Sequence, residues 1–279
     1  MKLRAGRLTA RLRRKLAGGA YRIQCALFPE RMATFCVDPD FGGLVRYPLR
    51  SAIGRALYHG TFETAELAYV RKTLRPGQVF FDVGANGGIF AVNAARRVGA
   101  SGHVHCFEPG LAELELLRGN LALNRLSNVT VYAGAVSQRT GSAEFATAAD
   151  GAMNSLAKTN HPAQVITRWR TVPTVSLDDY AEQQGLARVD FMKIDVEGAE
   201  KLVFEGARRL LNSSAAVTIL FEAFDLNASG FGYSVESFLS DLLQRGLKLY
   251  CFDTGGELTP IQRYEPRFGR EVYNFVART

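Results

Sequence analysis

Cysteine, histidine and tryptophan are all scarce in this chain of 279 residues, at four, four and one. The cysteines (Cys25, Cys36, Cys106, Cys251) are widely spaced and form no C-x-x-C pair. That spacing argues against a zinc site and a disulfide framework, and suits a reducing compartment. Cys106, inside an apolar strand pattern, reads as a small buried hydrophobe. His103 and His105 share one face of the same strand, but no third metal ligand stands near them in the sequence. Long apolar runs are missing too. No stretch reaches the ~20 residues needed to span a bilayer, and the N-terminus lacks the uninterrupted apolar core of a secretion signal. A cytoplasmic protein is expected. With 47% hydrophobic residues, the chain has enough apolar surface for a folded core rather than wholesale disorder.

Acids are absent before Glu30, whereas residues 1–29 hold eight Lys or Arg: Lys2, Arg4, Arg7, Arg11, Arg13, Arg14, Lys15 and Arg22. The net charge is +7, so removing those eight leaves −1 for everything else. The body is near neutral, and no nucleic-acid partner is expected. Leu8, Leu12 and Leu16 recur at helical spacing in the arm. The arm reads either as a solvated terminus packing its leucines on the body, or as a segment making peripheral contact with anionic lipid or phosphate.

There is no internal repeat. Residues 1–57 read as the basic arm and a small cap with short strands, broken by Pro39, Gly42-Gly43, Pro48 and Gly54; residues 58–279 read as one catalytic domain. A helix is expected over 63–74, ended by Pro76-Gly77. Strands at 79–81, 103–107, 129–132, 189–194, 216–221, 247–252 and 272–277 then alternate with helices at 89–98, 111–123, 199–211 and 235–245. An irregular insertion at about 137–171 carries a hairpin signal at Thr140-Gly141. This alternation predicts an α/β fold with a mostly parallel seven-stranded sheet, helices on both faces and an antiparallel last strand.

Three strand ends carry the chemistry. The first runs into Asp82-Val83-Gly84-Ala85-Asn86-Gly87-Gly88, where Gly84 permits a sharp turn. Gly87 and Gly88 would let a ligand approach the free N–H groups of the next helix. The spacing is G-x-N-G-G rather than G-x-G-x-x-G. An acid ahead of the first glycine suits an amino-acid ligand better than a pyrophosphate, with Asp82 meeting an ammonium group directly or through water. S-adenosylmethionine is such a ligand. Glu108 closes the second strand, where an acid accepts ribose hydroxyls. Ala135, in Gly134-Ala135-Val136 after the third strand, falls where an adenine would lie. The third signal is Lys193-Ile194-Asp195-Val196-Glu197-Gly198-Ala199-Glu200. It sets Asp195 and Glu197 at the same rim, where Glu222 of the next strand joins them. Three carboxylates there can act as a base, as substrate clamps or as hard ligands for Mg²⁺. Alternatively, Asp195 or Glu197 only caps the following turn.

FFDVGANGG, Phe107-Glu108-Pro109, the Asn120–Asn124 helix end, VSLDDY at 175–180 and KIDVEGAE, taken in this order, resemble the FkbM family of S-adenosylmethionine-dependent methyltransferases. Gly60-Thr61-Phe62-Glu63 resembles that family's G-x-x-E element. The similarity runs from about Tyr58 to Glu222. It implies a Rossmann-like class I methyltransferase fold and O-methylation of hydroxyls on sugars, glycans or polyketides. It also implies cofactor contacts at Asp82, Gly84, Asn86, Gly88 and Glu108, and an active-site rim at Asp195 and Glu197.

In-line methyl transfer asks the protein chiefly for alignment, helped by a base on the acceptor hydroxyl. Asp195 is the first candidate, Glu222 the second and His161, on the insertion, the third. The insertion, with Met153, Asn154, Ser155, Lys158, Asn160 and Trp169, reads as a lid over a sugar or oxygenated ring or as a surface loop. Glu197 and Trp169 are the expected substrate contacts. Methylation of a nucleic-acid base is disfavoured because Asp-Val-Glu-Gly replaces an Asn/Asp-Pro-Pro-aromatic tetrapeptide. Asn86 disfavours a nicotinamide dehydrogenase. Methylation at nitrogen and a non-catalytic cofactor-binding module stay open as alternatives.

Overall fold

The computed structural model describes residues 18–28, 31–214 and 216–279. The leucine spacing at 8, 12 and 16 lies outside the described residues. Helix α1, described over residues 18–27, leads into an antiparallel hairpin of β1 (Met32–Asp38) and β2 (Gly43–Pro48), then α2 (Ala52–His59) and α3 (Thr64–Thr73). The alternating core follows: β3 (Val79–Val83), α4 (Ile89–Val98), β4 (His103–Phe107), α5 (Leu111–Leu123) and β5 (Val129–Tyr132). The insertion contains β6 (Ala135–Val136), β7 (Gly141–Ala148) and β8 (Ile166–Val175). The chain continues through α6 (Leu177–Gln183), β9 (Phe191–Ile194), α7 (Glu200–Glu205), α8 (Arg208–Ser213) and β10 (Thr218–Glu222). It ends in α9 (Asp225–Ala228), α10 (Val235–Gln244), β11 (Lys248–Phe252), β12 (Leu258–Ile261) and β13 (Asn274–Arg278). Among the described residues no helix is long and apolar enough to cross a membrane.

The main sheet has the order β12-β11-β13-β10-β9-β3-β4-β5. The expected seven strands are all there, and β13 slots antiparallel between β10 and β11. An eighth strand, β12, adds to the edge of β11. Strand alternation splits the core. Phe80 and Val104 face one side with α4 and the hairpin residues Val45 and Tyr47, while Phe81 and Phe107 face the other with Tyr180, Phe204 and Phe238. The chain builds outward in opposite directions from β3 and β9, which pair with each other. Their carboxyl ends therefore flank the crevice where such sheets bind ligands.

Two local expectations need correction. Thr140-Gly141 does not turn a hairpin: β6 and β7 flank β8 on opposite sides, and β7 pairs with β8. The single helix expected over 199–211 is broken at Gly206-Ala207. Gly206 presses so closely on the Ser137 carbonyl that a side chain would collide. Its own carbonyl accepts the Asp178 N–H, and the Asp178 carboxylate caps the first amides of α8 at Arg209 and Leu210.

The N-terminal hairpin joins this core. Val37, Val45 and Tyr47 are buried with α4 and α5. On the outer edge of β2, the side-chain amides of Asn120 and Asn124 stand in for a neighbouring strand. They receive the N–H groups of Arg46 (2.7 Å) and Leu44 (2.9 Å), and Asn124 donates to the Leu44 carbonyl at 2.6 Å. Hydrogen-bonding demand on an exposed strand edge is met in this way without another strand.

Candidate active site

Loop 84–88 turns between β3 and α4 with Gly84, Asn86 and Gly88 all at positive φ. A Cβ on Gly84 would collide with the Asp195 carbonyl, one on Gly87 with the Tyr47 ring and hydroxyl, and one on Gly88 with Leu117. The glycines thus admit protein neighbours; Gly84 lines the cleft, and Gly88 starts α4 beneath it. The loop amides are also spent internally. Gly84 and Ala85 donate to the Phe107 carbonyl (3.0 and 3.1 Å), Asn86 to Glu108 Oε2 (2.8 Å), Gly87 to Asn86 Oδ1 (2.7 Å) and Gly88 to the Ala85 carbonyl (2.8 Å). Gly87 and Gly88 are required by the protein's own packing, while the first amides of α4, at Ile89 and Phe90 in the cleft wall, are not among those the loop uses.

Glu108 sits in the cleft wall. Its Oε1 accepts the Gly110 N–H at 2.6 Å and its Oε2 the Asn86 N–H. Each oxygen accepts only one of these bonds and keeps capacity for a hydroxyl. Burial pushes this carboxyl up to about 8, Glu113 adds to the rise, and the two amides oppose it. Tyr47, from the hairpin, places its hydroxyl 3.2 Å from Asn86 Oδ1 and floors the loop.

The cleft holds a cavity of about 180 Å³, smaller than the roughly 300–1,000 Å³ of small-molecule sites and open to solvent on one side. Ala135, Val136, Pro109 and Phe145 form an apolar wall beside Glu108. At the other end stand Glu63, Lys193, Asp195, Glu197 and Glu222. Carboxylate oxygens of Asp195, Glu197 and Glu222 lie within 4.8 Å of one another, the one such metal-sized group among the described residues. Lys193, buried, pairs with Asp195 Oδ2 at 2.8 Å and lies 5.1 Å from the centre of the Phe90 ring. Burial alone would lower this ammonium, but Asp195, Glu63 and Asp82 outweigh it and hold the charge on. Burial pushes Glu63 up to about 8, and pushes Glu197 and Glu222 well above the usual carboxylate range, with Asp195 adding to both. Glu197 sits at positive φ (54°), and its Oε2 accepts the Asn227 amide at 2.6 Å. The capping role considered for Asp195 or Glu197 falls to Glu200, which accepts the Val196 and Gly198 amides at 3.1 Å each.

Four expected site residues are not in the cleft: Gly88, which lies under it at the start of α4, and Asp82, His161 and Trp169. Asp82 is fully buried beneath the cleft, opposite Lys193 in the β3–β9 register, and neither oxygen has a hydrogen-bond partner among the described residues. Burial pushes Asp82 up to about 6, with Lys193 opposing the rise. It cannot meet an ammonium group directly from there; it contributes its field to Lys193. His161 folds back on its own turn, where its Nδ1 accepts the Ala163 amide at 3.1 Å and its ring packs 5.6 Å from Phe224. Trp169 lies on β8 next to Arg170, and successive strand residues face opposite ways. Arg170 reaches the Pro109 carbonyl beside the cleft, which turns Trp169 outward to an exposed surface.

His103 and His105 are accounted for by packing: His105 Nδ1 lies 2.9 Å from the Tyr180 hydroxyl and His103 Nε2 lies 2.8 Å from Thr130 Oγ1. Residues that the sequence reading passed over are Tyr47, Lys193 and Asn227. Lys193 stood inside a quoted motif, and Glu63 inside G-x-x-E. Nothing local marked Tyr47.

A family model described as the methyltransferase FkbM domain matches residues 82–248, more than half of the chain. The chain belongs to the FkbM methyltransferase family. Its class I α/β sheet carries the family's motifs at the strand ends just described. A ribosomal protein L11 methyltransferase of Caldanaerobacter subterraneus subsp. tengcongensis is 35% identical over 81 residues. That match takes in 28% of this chain and 26% of the relative, so the chain spans about a quarter of the length of the curated relative it matches. Among solved structures, methyltransferase FkbM from Methylobacillus flagellatus is similar with a TM-score of 0.45 and 15% identity, over 81% of this chain and 54% of that one. Precorrin-6y C5,15-methyltransferase from Geobacter metallireducens gives 0.43 and 13%, over 77% and 87%.

The residues of this FkbM chain fit S-adenosylmethionine. Glu108 has acceptor capacity for a ribose diol beside an apolar wall suited to adenine, and the acidic end suits the cofactor's positive groups.

Proposed function

We propose that this protein transfers the methyl group of S-adenosylmethionine to a hydroxyl of a small molecule such as a sugar, glycan or polyketide. The observation that carries the reading is one cleft joining Glu108, with its spare acceptor capacity, to the Lys193–Asp195 pair and Glu222. When bound, the cofactor supplies a methyl carbon activated by its sulfonium. Glu108 and Asn86 would hold the nucleoside end, and Ala135 belongs to the apolar wall that would receive the base. Asp195, oriented by Lys193, accepts a hydrogen bond from the acceptor hydroxyl and draws off its proton; Glu222, which burial keeps protonated in the ligand-free cleft, would take that role only once ionised. Such assistance is worth about 10²–10⁴-fold. Glu197, fixed by Asn227, aligns the acceptor. The near-neutral body and its acidic cleft favour a small acceptor over a nucleic acid.

The test is methyl transfer from labelled donor to a panel of sugar and polyketide acceptors. Asp195→Asn should cut turnover by about 10²-fold or more while leaving cofactor affinity nearly unchanged; near-full turnover would remove Asp195 from this role. The 4.8 Å carboxylate triad favours a second version, in which Mg²⁺ polarises the hydroxyl. That version requires activity to vanish with a chelator and return with Mg²⁺. Indifference to both eliminates it.

A further inference from the structure

Helix α1 has two unlike faces. Tyr21, Gln24 and Cys25 turn toward the body: the Tyr21 hydroxyl donates to the Leu49 carbonyl at 2.9 Å, and its ring lies 5.2 Å from Tyr58 and 5.3 Å from His59. The Cys25 carbonyl accepts the Arg50 guanidinium. On the opposite face, Ile23 and Leu27 are 61% and 67% exposed, and Phe28 just beyond is 56% exposed. Met32 continues the exposed apolar surface. Arg22 and Arg31, both exposed, flank this face in the chain. The 17 residues before α1 add seven Lys or Arg and no acid. A face this apolar is costly to leave in water, and the basic chain around it selects the sign of what covers it.

We propose that the exposed face of α1 is a peripheral membrane-binding surface that lays Ile23, Leu27 and Phe28 into an anionic phospholipid bilayer, drawn there by the positive charge of the sequence before it. Stable attachment without a spanning helix takes two signals, inserted apolar side chains and a polybasic stretch, and this segment has both. The surface is next to the cleft in the chain: α1 packs on α2, and α2 supplies Ile53 to the cleft wall.

The experiment is co-sedimentation of the full chain with vesicles of phosphatidylcholine alone and with added phosphatidylglycerol. Binding is expected only with the anionic lipid. It should fall as salt shortens the screening length from roughly 10 Å at 0.1 M to roughly 3 Å at 1 M. The double variant Ile23→Glu, Leu27→Glu should lower the bound fraction at least about tenfold, with an unchanged melting temperature because both side chains face solvent. Three results would overturn the proposal: no preference for anionic vesicles, undiminished binding by the double variant, or a solution dimer that the double variant converts to monomer. Tighter binding to a duplex oligonucleotide than to the vesicles would also overturn it, by assigning the basic segment to nucleic acid.

Discussion

Glu108 carries the cofactor reading on two oxygens, each already accepting one backbone amide. Glu108→Gln keeps the shape but replaces one oxygen with an NH₂ group, which would face either the Asn86 or the Gly110 donor. One hydroxyl acceptor is lost and one amide is left opposite another donor. A lost hydrogen bond of this kind costs roughly 1.5–3 kcal/mol. S-adenosylmethionine affinity, measured by calorimetry, should therefore fall roughly 10–100-fold. At this scale the sequence was legible where a residue's place follows from a strand end: Glu108, Asp195, Glu197, Glu222 and Ala135 all reach the cleft wall. It misled where a neighbour far along the chain decides. Asp82 reads as a strand end in the sequence, yet β3 runs on to Val83 and pairs Asp82 with Lys193 under the floor. Tyr47 enters from a hairpin some forty residues ahead of the loop it supports.

At the level of elements, the β3–α4 loop shows why glycine spacing is an ambiguous signal. The pattern marks where a Cβ is excluded, but not whether a ligand or the protein excludes it. Here the protein does, through the Asp195 carbonyl, Tyr47 and Leu117. Gly84→Ala would combine a positive φ of 81° with a backbone collision that cannot relax by a rotamer change. It should cost more than about 3 kcal/mol, read as a drop in denaturant midpoint or in soluble yield. The alternating strands and helices were legible because a buried parallel sheet imposes continuous apolar runs. The break at Gly206 was not, since it answers to the Ser137 and Asp178 contacts rather than to helix periodicity. Trp169 and His161 were misassigned for a related reason. Composition brought them to the insertion, but strand alternation and a local turn decided where they faced.

Across the whole molecule, buried carboxyls give the ligand-free protein an unusual pH response. Glu63 and Glu108 are raised to about 8, Glu200 to about 7, and Glu197 and Glu222 well above their ordinary range. The folded state therefore holds protons that the unfolded chain has released, and its stability must fall as pH rises through this range. The melting temperature should drop from about pH 5 upward and level off above about pH 8, and Glu197→Gln with Glu222→Gln should flatten the decline. Below about pH 6.5 His105 works the other way, because burial lowers it to about 4 and only the unfolded chain takes up its proton. A melting temperature that rises toward pH 8.5 would contradict the raised acids.

The side-chain amides that grip β2 have a practical consequence for anyone trimming this protein. A fragment begun at residue 58 would uncover the apolar flank of α4, orphan the amides of Asn120 and Asn124, and remove the aromatic plug from under the nucleoside loop. Such a fragment should come out of expression insoluble or unable to retain cofactor, even with every family motif intact.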